Sequence, residues 1–199
     1  MKNINYYEQR DIKNRRKMSK YLETLPDYCR DFIIGIENNT SSLTRYNYAM
    51  DLYVFFNFLE KSIFHKKAIE ITLQDINTIK SQQIEQYLSD LSSYMIDDNL
   101  YRNTERGKAR KLASLRSFFK YLYNHDCIDG NVASKISTPK LHNKEIIRLE
   151  RDEVKRLMNA IENPCEFSQR QKEYNKNTFE RDNAIVTLFL GTGIRISEL

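Results

Sequence analysis

Apolar residues recur along this chain at helical spacing. Between Ser41 and Lys61, Leu52, Phe55, Phe56 and Leu59 fall at i, i+3, i+4 and i+7, one buried helical face. From Ile71 to Met95, Ile84, Tyr87, Leu88 and Leu91 line one side, with Thr72 or Asp75 as the start signal. Between Asn103 and His125 the pattern returns at Leu112, Leu115, Phe119 and Leu122. A shorter, partly apolar helix is expected from Asp27 to Glu37, closed by the "NNTSS" stop and cap. Phe32 to His125 thus predicts a bundle of about four helices. Residues 1–27 are polar and read as an N-terminal arm or short helix.

The periodicity breaks in "DCIDGNVASKISTPKLHNKEI", which carries Gly130 and Pro139 and is the best linker candidate. It resumes with Val154, Leu157, Met158 and Ile161. "ENPCEFSQRQKEYNKNTFE" is polar and aperiodic, an expected loop. An apolar helix follows, then a Gly-Thr-Gly turn and the start of another helix. The expected divisions are therefore an arm at 1–27, a helical domain at 28–127, a linker at 128–148 and the start of a second domain at 149–199.

Composition narrows the classes. The 199 residues are 40% hydrophobic and 30% charged, enough for a core and too ordered in pattern for a disordered chain. Five glycines and three prolines favour helices over sheet. Cys29, Cys127 and Cys165 are scattered, so they fit neither a disulfide framework nor a zinc site, and no metal or cofactor is expected. The N-terminus is charged throughout and lacks a signal peptide's apolar run, and no stretch is long enough to span a bilayer. A cytoplasmic protein without membrane association is expected.

The net charge of +5 suggests a polyanionic partner. Its placement sharpens this. In the helix from about Thr104, the apolar positions leave Lys108, Arg110, Lys111, Arg116 and Lys120 on other faces. Asn103 or Thr104 would cap its start, where free N–H groups and the helix dipole attract phosphate. The earlier long helix opens with Ser41, Ser42, Thr44 and Arg45, with Tyr48 one turn on. Two helix starts rich in hydroxyls and cations suit double-stranded DNA. The candidate DNA-binding residues are Thr44, Arg45, Tyr48, Thr104, Lys108, Arg110, Lys111 and Lys120.

The last residues, "RDNAIVTLFLGTGIRISEL", resemble the first catalytic box of the tyrosine recombinases, the phage-integrase and Xer family. "TSSLTRYNYAMDLYVFFNFLEK" is similar to the family's opening segment. "KARKLASLRSFFKYLYNHDCIDGNVASKISTPK" is similar to its later one, with Asn131-Val132 in place of Asn-Pro. "LERDEVKRLMNAI" matches the helix that opens the catalytic domain. The likeness covers residues 30 to 199.

It implies an all-α covered region: a SAM-like four-helix core-binding domain, then the helical start of a mixed α/β catalytic domain. It also implies site-specific DNA recombination through a phosphotyrosyl intermediate, without cofactor, by protomers assembled on DNA. Arg195 matches the first catalytic arginine, and Glu198 matches an acid with an orienting or structural role. The chain stops at Leu199, inside an apolar stretch. None of its thirteen tyrosines lies in the family's nucleophile context, and Tyr174 is rejected for that role. The expectation is the front of a longer recombinase, one that binds DNA but does not cut it. Two alternatives stand beside it: a short non-catalytic DNA-binding protein of the same lineage, and a helical interaction module with no DNA role.

Overall fold

The apolar faces at 52–59 and 112–122 close on each other, and every residue that defines them is fully buried. The computed structural model describes residues 5–96, 98–140, 148–162 and 168–198. The chain divides into two units, Met1–His142 and Asn143–Leu199. The first contains α1 (Tyr6–Leu22), α2 (Asp27–Gly35), α3 (Ser42–Phe58), α4 (Leu73–Thr78), α5 (Ser81–Asp90) and α6 (Glu105–Asn124). Aromatic rings fill the space between them. Phe118 meets Phe32 at 5.4 Å, Phe56 at 6.2 Å and Phe119 at 5.8 Å between centroids, all edge to face. That geometry adds about 0.5–1.5 kcal/mol per pair to the burial itself.

α3 and α6 run in the same direction. Asp51 pairs with residues 110–114, and four to five residues further along Phe55 meets Phe119 and Phe56 meets Phe118. The start of α6 lies beside the middle of α3, where Arg102 and Asn103 line one hollow with Met50, Tyr53 and Val54. α2 crosses α6 closely at its last residue. A Cβ on Gly35 would come within 2.5 Å of the Tyr121 ring.

Several expectations change. The N-terminal segment, expected as an arm or a short helix, is a 17-residue helix, α1, opened by a capping box between Asn5 and Glu8. It packs on α3, where Asn14 Nδ2 donates to Ser42 Oγ (3.1 Å) and Ser42 Oγ donates to Asp11 Oδ1 (2.6 Å). The segment from 71 to 95 is two helices rather than one. Ile79 is extended and buried between them, so the chain turns without exposing an apolar residue. A hairpin follows, β1 (Tyr94–Ile96) paired antiparallel with β2 (Asn99–Tyr101), and Tyr94 stacks on Tyr101.

The first part of the expected linker belongs to the bundle. Ile128, Ala133 and Ile136 are buried, and Val132–Lys135 forms one 3₁₀ turn. Arg116 holds it there: its guanidinium donates to the carbonyls of Ala133 and Ile136 and to Thr138 Oγ1. Residues 141–147 of that linker, Cys165 and Leu199 lie outside the described residues. Cys29 is buried and Cys127 half-buried, both as free thiols.

The second unit holds α7 (Arg151–Glu162) and α8 (Gln169–Thr192). The polar stretch expected as a loop is helical from Gln169 onward. Ser168 and Gln171 form a capping box that starts α8 where no apolar stripe announces it. Val154, Met158 and Ile161 of α7 are half-buried and Leu157 is exposed. Among the described residues, no helix is long and apolar enough to cross a membrane.

Phe118→Ala should destabilise the first unit by about 3–5 kcal/mol in urea unfolding, because it empties the centre of the ring cluster. A pH series on the same assay tests a surface contact. Lys66 and Thr72 hydrogen-bond Asp75 and hold its carboxyl down at about 2. This contribution is fully present above the unfolded value near pH 4 and is lost as pH falls through about 2. The stability gap between wild type and Asp75→Asn should close over that window.

Candidate nucleic-acid interface

At the start of α3, Ser41 caps the helix by accepting from the Thr44 N–H, and its hydroxyl shares a hydrogen bond with Thr44 Oγ1. Thr44 is half-buried. Arg45 turns inward. Its Nη1 donates to the carbonyls of Glu37 (2.9 Å) and Thr40 (3.1 Å), and its Nη2 lies 3.0 Å from the Glu37 carboxylate. With only 6% of its side chain exposed, Arg45 fastens the preceding turn to the helix rather than facing a phosphate. Tyr48 stacks flat on Phe32 at 6.0 Å and is half-buried.

At the start of α6, Thr104 caps by accepting from the Gly107 N–H, and Asn103 anchors the turn by donating to the Leu91 carbonyl. Arg102, Thr104 and Arg106 are exposed around this cap. Lys108 lies 3.4 Å from Glu105. The next residues meet a buried acid. Asp51 of α3 is fully buried and accepts four hydrogen bonds. Two come from the Arg110 fork at 2.7 Å each, one from Lys111 Nζ at 2.9 Å and one from Ser114 Oγ at 2.6 Å. One carboxylate faces two cations, so the cluster keeps a net positive charge. Lys111 has 3% of its side chain exposed and is committed to Asp51. Arg110 has 43% exposed and presents its outer edge to solvent.

Thr104, Lys108 (13% exposed) and Arg110 lie along the first turns of α6, whose start flanks Met50 and Tyr53 of α3, whereas Thr44 and Tyr48 lie in the first turns of α3. The structure places Arg45 and Lys111 inside, which corrects their expected outward position: each satisfies a buried acceptor. Lys120 is exposed but stands about 24 Å along α6 from Thr104, at 1.5 Å per residue. Asp51, Arg102 and Arg106 were not expected at this face. Asp51 carried a signal in hindsight, an acid inside a run of buried apolar residues.

In the second unit α8 ends at Gly193, whose φ of 66° is the left-handed conformation that closes a helix and favours glycine. Arg195 follows. Its backbone N–H donates to Glu198 Oε2 (2.8 Å), and its Nη1 lies 3.1 Å from Glu198 Oε1. Glu198 therefore orients Arg195, whose side chain is 82% exposed. Tyr174 lies near the other end of α8, about 27 Å of helix before Thr192.

Residues 31–126 match the N-terminal SAM-like domain of phage integrases, which defines the class of the first unit. Over 93% of its length the chain is 35% identical to the tyrosine recombinase XerC of Caldanaerobacter subterraneus subsp. tengcongensis, covering 51% of that protein. It is 32% identical to the XerC of Syntrophus aciditrophicus over 85% of this chain and 48% of that protein. It is also 32% identical to the XerC of Leptospira interrogans, over 89% and 50%. The chain belongs to the tyrosine recombinase family and spans about half the length of the curated relatives it matches. No solved structure matches.

Asp51→Asn should cost about 3–5 kcal/mol in urea unfolding, because it leaves Lys111 buried without its counter-charge. Lys111→Ala should register mainly as lost stability, whereas removal of an exposed cation should leave stability within about 0.5 kcal/mol.

Proposed function

We propose that this chain is the DNA-binding part and the first catalytic segment of a site-specific tyrosine recombinase. The observation that carries this is the Asp51 cluster. It ties α6 to the middle of α3, so that the cations on the first turns of α6 are held on a fixed scaffold beside α3. Helix N-termini and exposed arginines bind phosphate oxygens without reading sequence. Direct contacts are assigned to Thr44, Tyr48, Thr104, Arg102, Arg106, Lys108 and the outer edge of Arg110. Arg45 and Lys111 act by holding those groups in place, and Lys120 is a peripheral contact. The partners are duplex DNA and further recombinase protomers on it.

In the reaction the family implies, a tyrosine Oη attacks the scissile phosphorus and loses its proton. The P–O5′ bond breaks, and the leaving 5′ oxygen takes up a proton. The phosphotyrosyl ester retains the bond energy, so a second strand's 5′-hydroxyl reverses the step without a nucleotide or metal. Arg195 is assigned to the phosphate oxygens, where a fixed donor fork stabilises growing charge. Gly193 presents it and Glu198 orients it.

The contacts of this face should contribute roughly −4 to the slope of log affinity against log salt, from ~0.9 per phosphate contact. Arg106→Ala with Lys108→Ala should flatten that slope by about two, equally for all sequences. An unchanged slope places the interface elsewhere. Residues 1–199 should bind a nicked suicide duplex yet give no covalent band on a denaturing gel. Tyr174 stands a helix length from Arg195, and a charge clamp without an attacking atom lowers no barrier. A covalent band mapped to Tyr174 would overturn that assignment. In a cleavage-competent recombinase carrying this segment, Arg195→Lys should lower cleavage on the order of a hundredfold to a thousandfold while binding persists.

A further inference from the structure

α1 lies outside residues 31–126, so the domain match assigns it no role. It carries six basic and two acidic residues between Tyr6 and Leu22. Both acids are engaged locally: Glu8 in the N-terminal capping box, Asp11 by Ser42. Asn14, Met18, Tyr21 and Leu22 form the side that packs on the bundle. On one flank of that side Arg15 meets Glu37. On the other flank Arg10, Lys13, Lys17 and Lys20 recur at i, i+3, i+7 and i+10, which aligns them in one stripe. All four are exposed, and none pairs with a carboxylate among the described residues.

The stripe does not stand alone. Lys17 Nζ lies 5.7 Å from the ring centre of Tyr46 on α3. Lys20 helps line a hollow of about 480 Å³ with Tyr21, Tyr53, Tyr101, Arg102 and Arg110. The hollow thus joins the α1 stripe to the cations at the start of α6. Basic residues interleaved with tyrosines suit a duplex backbone, whose phosphate oxygens accept hydrogen bonds from cations and from tyrosine hydroxyls. The stripe is about 15 Å long at 1.5 Å per residue. One DNA strand presents about four phosphates over that length, at one per 3.4 Å of axis.

We infer that α1 is a second DNA-contacting element, a phosphate track running from Arg10 through Lys20 to Arg102 and Arg110. It lengthens the footprint of the α3–α6 face. The inference rests on the reading of that face as a DNA interface, and the test separates the two.

The quadruple variant Arg10→Ala, Lys13→Ala, Lys17→Ala, Lys20→Ala keeps the helix, because alanine is the best helix former and the replaced side chains are exposed. Circular dichroism and urea unfolding should match wild type. Fluorescence anisotropy with a random-sequence 40-base-pair duplex is then titrated against salt, beside the Arg106→Ala, Lys108→Ala variant. The track predicts that the quadruple variant flattens the slope by about three to four, from ~0.9 per contact. It also predicts a shorter hydroxyl-radical footprint than wild type. If only the α6 variant flattens the slope, the α1 track is overturned and the α3–α6 interface stands. If neither variant does, both readings fall. If the quadruple variant alone does, α1 is confirmed as a DNA contact and the α6 assignment is withdrawn.

Discussion

The first unit depends on one buried carboxylate. Asp51 cannot sit in the core uncompensated, since an unpaired buried charge costs several kcal/mol. Its four donors all come from a single stretch of α6. Apolar packing alone tolerates sliding, because hydrophobic attraction has no direction. A carboxylate that must meet a guanidinium fork, an ammonium and a hydroxyl does not tolerate it. The bonds fix the register of α3 against α6, and that register sets where the first turns of α6 lie on α3. A buried ion pair of this kind serves specificity of arrangement more than net stability.

The same principle sorts the other basic residues. Arg45 and Arg116 use their planar forks on backbone carbonyls, one fastening the turn before α3 and the other the segment after α6. Lysine could not span such sets, having a single point of charge. These inward cations rivet irregular segments to helices, one before α3 and one after α6. Arg102, Arg106, Lys120 and the stripe on α1 are exposed, and their charge is available to solvent and to a polyanion. Burial separates the two groups, although both look alike in a list of basic residues.

That separation marks the limit of what the sequence discloses. Helix faces were legible because Leu52, Phe55, Phe56 and Leu59, like Leu112 through Leu122, repeat at 3.6-residue spacing. The helix starts were legible as alternatives, Thr72 or Asp75 and Asn103 or Thr104, and the structure uses Thr72 and Thr104. α1 was not, since its packed side includes Asn14 and Tyr21 and shows no clean apolar stripe. The hairpin at Tyr94–Tyr101 was too short for its alternation to stand out. The inward turn of Arg45 and Lys111 was hidden for a different reason. Lys111 meets Asp51 across 60 residues, a pairing that leaves no local trace, and Arg45 reaches Glu37 only because the turn between them folds back. The Thr-Gly-Ile-Arg box was legible as a motif. That Glu198 bonds Arg195 became visible only once Gly193 had turned the chain.

The close passage of α2 over α6 carries a consequence for how this lineage can change. At position 35 the backbone lies against the Tyr121 ring, and that ring is itself held between Phe32 at 5.5 Å and His125 at 4.1 Å. Neither residue can be exchanged freely on its own. A side chain gained at 35 requires a smaller one at 121, and a ring lost at 121 opens a gap that glycine cannot fill. The two positions are therefore coupled: a change at one alters the cost of a change at the other.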